Sequence, residues 1–283
     1  MKILVTGGAG FIGSNLIKRL LLEEHEVHSL DNYDSGFKSN HQLGCNYINA
    51  DIETIENIEG KDFDLVYHLA ALSRIQPSFE NPKETFRVNV RGCEAVAEWA
   101  KYNNVKIVYA GSSSKHHDPT ISPYAMYKYL GEEVFKLYKK TYNVDAEICR
   151  FYNVYGPGEV VEGDWAAVVG IFRRQVRDGR KITIVGDGEQ RRDFTHVIDI
   201  VDALYKVGMS NEKNKDAWEL GTGINYSVNE LYKMFLERYP HIEAKFIPEQ
   251  PGNYRVTLRE NNDTVERLGW EPKDRLNGYI NSL

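Results

Sequence analysis

Cysteine is scarce in this sequence, three residues in 283, and Cys45, Cys93 and Cys149 show no C-x-x-C spacing. That scarcity argues against a disulfide-stapled scaffold and against a zinc site, so the thiols are expected reduced, the location cytoplasmic, and no metal is expected. No apolar run approaches the roughly 20 residues of a membrane span, and with Lys2 already reading as strand no signal peptide is expected. A basic excess is missing too: the net charge of −6 offers no general attraction to nucleic acid or to an anionic membrane. What remains, with 27% charged and 42% hydrophobic residues, is a soluble globular chain able to bury one large or two medium cores.

The most informative stretch is Lys2 to Asp31. Ile3, Leu4 and Val5 form a short β-prone run. Thr6-Gly7-Gly8-Ala9-Gly10-Phe11-Ile12-Gly13 follows, then Leu16, Ile17, Leu20 and Leu21 at helical spacing. A second short strand, Val27 to Leu30, ends at Asp31, eighteen residues past Gly13 and near the roughly 20-residue interval that sets an acid on a dinucleotide's ribose. Glycines at 7, 10 and 13 are expected to give a tight turn with φ > 0 and close backbone approach to a pyrophosphate at a helix N-terminus. The carboxylate of Asp31 would accept from ribose hydroxyls and repel a 2′-phosphate, which favours NAD over NADP; Lys38 softens that preference.

Further along, strand and helix alternate. A third strand is expected over Asn46 to Asn49, followed by Asp51-Ile52, where Asp51 reads equally as a cofactor contact or a helix N-cap. The fourth, from Phe63, runs into the small turn Ala70-Ala71. His68 on that strand reads as a satisfied core histidine. One long helix is expected over Pro82 to Lys101, with Asn89 in its middle, and a fifth strand over Val105 to Ala110 before Ser112-Ser113-Ser114. Ser122 to Tyr142 reads as a second long helix with a serine cap and Pro123 in its first turn, and Val144 to Arg150 as a sixth strand. The fold class is therefore α/β, a Rossmann-type doubly wound parallel sheet over 1–150. Beyond Arg150 shorter elements punctuated by glycine turns, with helices near 164–178, 197–208 and 227–239, suggest a smaller mixed α/β substrate lobe over 151–283, interleaved with the first.

Tyr124 and Lys128 stand four apart on one helix, hence on one face. An ammonium near a phenol favours the phenolate, so Tyr124 is a candidate base. Ser112, at the ligand end of the sheet, can donate to the same substrate oxygen. Tyr127, one residue from Lys128, points elsewhere.

These pieces, taken together, resemble the extended short-chain dehydrogenase/reductases, in particular the NAD-dependent sugar-nucleotide epimerase/dehydratase family. The matching segments are TGGAGFIGSNL at 6–16, DNYDSG at 31–36, HLAAL at 68–72, NVRG at 89–92, the serine run and YAMYK at 124–128. RFYNVYGPG at 150–158, GDGEQRRDFTHVIDIV at 186–201 and LGWEP at 268–272 continue the match. By position, the resemblance implies that NAD is held by Gly7, Gly10, Phe11, Ile12, Gly13, Asp31, Asn32, Lys38, Asp51, Ile52, Leu69, Ala70, Ala71, Asn89, Tyr124, Lys128 and Tyr152. It implies Tyr124 as base with Ser112 and Lys128 beside it, and a sugar nucleotide gripped by Ser73, Ser113, Asn153, Arg192 and the Pro251-Gly252 region. A homodimer is also implied, through a four-helix bundle of the helices at 83–101 and 122–142, with Tyr127, Tyr129 and Phe135 on the exposed face.

Three departures bear on the reaction. Ser113 and Ser114 stand where dehydratases and decarboxylases similar to this chain carry an acid, which argues against elimination. The connection from the serines to Tyr124 is shorter than usual for the family. Gln250 replaces an arginine before Pro-Gly, and Arg255 is the residue at hand to compensate. The reading is NAD-dependent epimerisation of a nucleotide-activated hexose at C4 of a UDP-sugar. The alternatives are a 4,6-dehydratase or decarboxylase, a net reductase, and a non-catalytic NAD-binding sensor.

Overall fold

A computed structural model describes residues 1–58 and 62–283. The first half supplies strands β1 (Lys2–Thr6), β2 (Glu26–Asp31), β3 (Asn46–Asn49), β4 (Leu65–His68), β5 (Lys106–Ser112) and β6 (Ala146–Phe151). Between them run helices α1 (Phe11–Leu22), α2 (Ile75–Glu80), α3 (Pro82–Phe86), α4 (Gly92–Asn103) and α5 (Pro123–Tyr142). The second half adds β7 (Val154–Tyr155), α6 (Val168–Arg177), β8 (Ile182–Val185), β9 (Arg191–Asp193), β10 (Thr195–His196) and α7 (Val197–Met209). It closes with β11 (Trp218–Leu220), β12 (Asn225–Ser227), α8 (Val228–Arg238), β13 (Ala244–Ile247), α9 (Asp263–Leu268) and α10 (Leu276–Asn281).

Seven strands form one parallel sheet in the order β11-β6-β5-β4-β1-β2-β3. Alternation along each strand feeds two cores, as period-two side-chain placement requires. Leu4, Ile107 and Tyr109 point to α4 and α5, meeting Val96, Ala97 and Phe135. Ile3, Val5 and Val108 point to α1 and α7, meeting Leu16, Leu20, Ile200 and Leu204. The elements of 151–283 thus divide between two places: α7 and β11 complete the large sheet, while α6, α8, β8 and α10 enclose a third core around Phe172, Phe194, Phe235 and Ile280.

Two expectations need correction. The helix drawn over Pro82 to Lys101 is interrupted by a wide π turn at Arg87–Arg91. There the buried Asn89 side chain is fastened to the backbone of Leu72 through both its oxygen (2.8 Å) and its nitrogen (2.9 Å), and the Cys93 thiol donates to the Asn89 carbonyl at 3.0 Å. Such single wide turns arise where a helix is pinned from outside. Phe135 is fully buried rather than exposed, its ring 4.7 Å from that of Tyr109, because Ala125, Lys128, Gly131, Glu132 and Phe135 share the face of α5 that lies on the sheet.

Candidate active site

The turn after β1 is shaped by what a side chain would strike. Gly7 has φ +71°, and a Cβ there would sit 2.8 Å from the Ala70 amide nitrogen; at Gly13 it would sit 2.2 Å from the Gly7 carbonyl oxygen. Gly10, unlike Gly7, is extended and serves as N-cap of α1 without a side-chain cap. The first amides of α1 are therefore left for an anion. At the end of β2, Asp31 accepts from the amides of Ala9 (2.9 Å) and Tyr33 (2.8 Å), which ties the acid to the turn it serves.

From this cradle a cavity of about 680 Å³ runs across the strand ends. Gly7, Gly10, Phe11, Ile12, Asp31, Asn32, Ile52, Leu69, Ala70 and Ala71 line one end; Ser112, Ser113, Tyr124 and Lys128 line the middle; Ser73, Asn153 and Arg192 also border it. A glycine turn that admits no Cβ, bare helix amides and a carboxylate at the β2 end fit a dinucleotide.

The remaining expected contacts lie elsewhere. Gly13 packs behind the turn. Asp51 caps the turn Ile52–Asn57 through the Glu53 amide (3.0 Å) and takes a two-pronged contact from Arg87 (2.8 and 2.9 Å), which holds its carboxyl below the usual range. This is the geometry of the helix-cap alternative. Lys38 is exposed, its ammonium over the Tyr33 ring. Tyr152 is buried and donates to Glu219 at 2.8 Å, outside the cavity, and Asn89 braces Leu72. Arg255 is exposed at the surface, outside the cavity lining, and paired with Asp187 at 2.8 and 2.7 Å. His68 is a core residue, hydrogen-bonded to Thr6 at 2.8 Å, and burial pushes its imidazole down to about 3.

Helix α5 places the central pair. Ser122 accepts from the Ala125 amide and Pro123 opens the first turn, which aims Tyr124 across to β5, where its hydroxyl lies 3.4 Å from Ser112 Oγ. One turn on, Lys128 is buried; its ammonium donates to the Ala110 carbonyl and lies 4.5 Å from the Tyr109 ring centre. Desolvation pushes that ammonium down to about 8. Burial raises the Tyr124 phenol, while the Ser112 hydrogen bond and the positive charge of Arg74 pull it back. The positive charge of Arg74 thus bears on the phenol in addition to Lys128, the cation that sequence reasoning set beside it. Behind Ser112, Arg150 is buried between Glu132 (2.8 Å) and Glu219 (2.9 Å) and fixes the strand that carries the serine.

Sequence reasoning missed Arg74, Trp165 and Tyr254. Arg74 lines the cavity, its guanidinium donating to the carbonyls of Trp165 (2.8 Å) and Ser73 (3.1 Å). Among the described residues neither Arg74 nor Arg192 has a carboxylate partner; Arg192 donates only to the Arg191 carbonyl, and desolvation pushes it down to about 10. Two cations left without acids on a cavity wall are receptive to anionic ligands. Only the adjacency of Arg74 to the HLAAL segment hinted at its place.

Comparison with known proteins agrees with this geometry. A family model described as "NAD dependent epimerase/dehydratase family" matches residues 3–221. The chain is similar to the UDP-glucose 4-epimerase of Mycolicibacterium smegmatis, 33% identical over 96% of this chain and 94% of that one. It is also similar to UDP-glucuronic acid decarboxylase 3 of Arabidopsis thaliana, 30% identical over 98% of this chain and 86% of that one. Among solved structures, the UDP-glucose 4-epimerase of Thermotoga maritima with UDP-glucose superposes with a TM-score of 0.91, at 29% identity over 99% of this chain and 96% of that one. With its glycine cradle, its tyrosine and lysine on α5 and this match over most of its length, the chain belongs to the NAD dependent epimerase/dehydratase family.

Proposed function

We propose that this protein is an NAD-dependent epimerase of a nucleotide-activated hexose, acting at C4 of a UDP-sugar. One observation carries the reading: a single cavity joins the Gly7–Gly13 cradle, the Tyr124–Ser112 pair and the unpaired Arg192. When bound, NAD supplies reversible oxidation at the sugar carbon. Gly7, Gly10, Asp31, Ala70 and Lys128 would hold it. Tyr124 Oη takes the proton of the C4 hydroxyl and later returns it, Ser112 Oγ hydrogen-bonds the same oxygen, and the positive charges of Lys128 and Arg74 favour the phenolate. Arg192 grips the diphosphate through its fork of donors.

Elimination of water or carbon dioxide is the second reading, favoured by the decarboxylase likeness. The residues next to Ser112 speak against it, since Ser113 and Ser114 are hydroxyls facing the cavity and offer no acid. Three free thiols, two of them buried, suit a reducing cytosol, and no helix among the described residues is long and apolar enough to cross a membrane. A homodimer through α4 and α5 is part of the proposal; Tyr102, Leu137 and Tyr142 are the large side chains those helices leave exposed. Tyr124→Phe tests the assignment of the base: turnover of UDP-glucose by the NAD-loaded variant is expected to fall about 10²- to 10⁴-fold with NAD retention unchanged. Near wild-type turnover contradicts it.

A further inference from the structure

Tyr254 follows Pro251-Gly252 in the chain and, like Arg192, whose charge acts on it, lines the cavity. Its hydroxyl is buried and, among the described residues, has no partner of good hydrogen-bond geometry; the hydroxyls of Ser114 and Ser122 reach it only weakly, and Tyr124 lies close enough to act on it. A buried donor held without a well-aligned acceptor beside a cavity is available to an acceptor that a ligand brings. Burial also pushes the phenol up to about 12, which keeps it a proton donor where Tyr124 must act as acceptor.

The surrounding chain is arranged to hold it there. His117 stacks on the Tyr254 ring with centroids 4.1 Å apart and planes within 15°. The connection between Ser112 and Tyr124 is compact, two 3-10 turns at Ser113–His116 and Pro119–Ile121, and it carries His117. Gly252, at φ +77°, brings the loop so close that a Cβ would lie 2.8 Å from Ile75 Cγ2 and 3.2 Å from Ser122 Cβ. Gln76 latches the same loop by donating to the Pro251 carbonyl at 2.9 Å.

We propose that Tyr254 is a substrate-contacting residue whose Oη donates a hydrogen bond to the sugar of the bound nucleotide-hexose, beside the carbon on which Tyr124 acts, with His117 as the positioning residue that aims it. The inference rests on the reading that this cavity takes a sugar nucleotide. Arg192 answers the charge of the diphosphate; the neutral phenol beside Ser114 answers a sugar hydroxyl.

Calorimetric titration of the NAD-loaded protein with UDP-glucose and with UDP separates the two subsites. Tyr254→Phe keeps the ring and its stack and removes only the hydroxyl. It is expected to bind UDP-glucose about tenfold more weakly while its affinity for UDP stays within about twofold of wild type. His117→Ala should reproduce that pattern, and His117→Phe, which retains an aromatic partner, should restore most of the affinity. Unchanged UDP-glucose binding by Tyr254→Phe overturns the inference, as does an equal loss for UDP, which would tie the hydroxyl to the nucleotide or to folding. A wild-type protein that binds neither probe overturns the functional reading and the inference together; one that separates UDP-glucose from UDP but is insensitive to the Tyr254 hydroxyl overturns the inference alone.

Discussion

On the cofactor side of the cavity the wall is backbone, with Gly7 and Gly13 pressed against Ala70 and against each other and Asp31 bonded into the same turn. On the substrate side it is made of long side chains, Arg74, Arg192 and Tyr254; among the described residues the two guanidinium groups have no carboxylate partner and the phenol has no partner of good hydrogen-bond geometry. The first wall has no room for a side chain at its glycines and leaves only the first backbone amides of α1 open; the second carries side-chain groups whose partners have yet to arrive. Stability is concentrated in one and binding in the other, the usual arrangement when a rigid scaffold presents a polar site.

Substitutions break this comparison most sharply at its two extremes. Gly13→Ala drives a methyl into the Gly7 carbonyl and is expected to cost roughly 3 kcal/mol of unfolding free energy, with loss of NAD retention. Denaturant titration and the cofactor content of the purified protein would show both. Arg192→Met should do the reverse. Removing a desolvated, unpaired cation leaves stability equal or higher, while affinity for UDP-glucose falls about 10- to 100-fold with the loss of charge-assisted hydrogen bonds. A variant that melts early yet binds normally would invert the contrast.

A third expectation concerns pH. His68, buried in the core on β4 behind the first wall, has its folded-state value lowered to about 3 from 6.5, so below pH 6.5 the unfolded chain takes up a proton that the folded chain refuses. Stability from this group is present above pH 6.5 and lost as pH falls toward 3. Urea midpoints between pH 7.5 and 5 should show that decline, and His68→Asn, still able to bond Thr6, should flatten it. The smallest effect is expected at Arg255. Its exposed pair with Asp187 lies off both walls, so Arg255→Ala should change the Michaelis constant for UDP-glucose less than about twofold and stability by under about 1 kcal/mol.

The same division explains what was legible in the chain. The cofactor wall is written in one contiguous turn, where spacing alone conveys geometry, and Gly7, Asp31 and Ala70 stand where periodicity and motif placed them. Tyr124 and Lys128 were legible because helical spacing sets them on one face. Arg74, Trp165 and Tyr254 come from three stretches far apart in sequence that border one cavity, and no local pattern encodes such a meeting. The partner of Arg255 was hidden for a related reason: its charge suggested a phosphate, and Asp187, with which it pairs, is distant in sequence. The break in the helix at Arg87–Arg91 was equally hidden, since apolar periodicity continues through it while Asn89 is pinned to Leu72.

The most direct measurement is proton NMR of the protein with UDP-glucose and a catalytic amount of NAD, with no other reagent. The account predicts the anomeric signal of the C4 epimer, growing while the NAD concentration stays constant. A 4-keto or pentose product, stoichiometric consumption of cofactor, or no new sugar signal across UDP-, GDP- and dTDP-hexoses would contradict it.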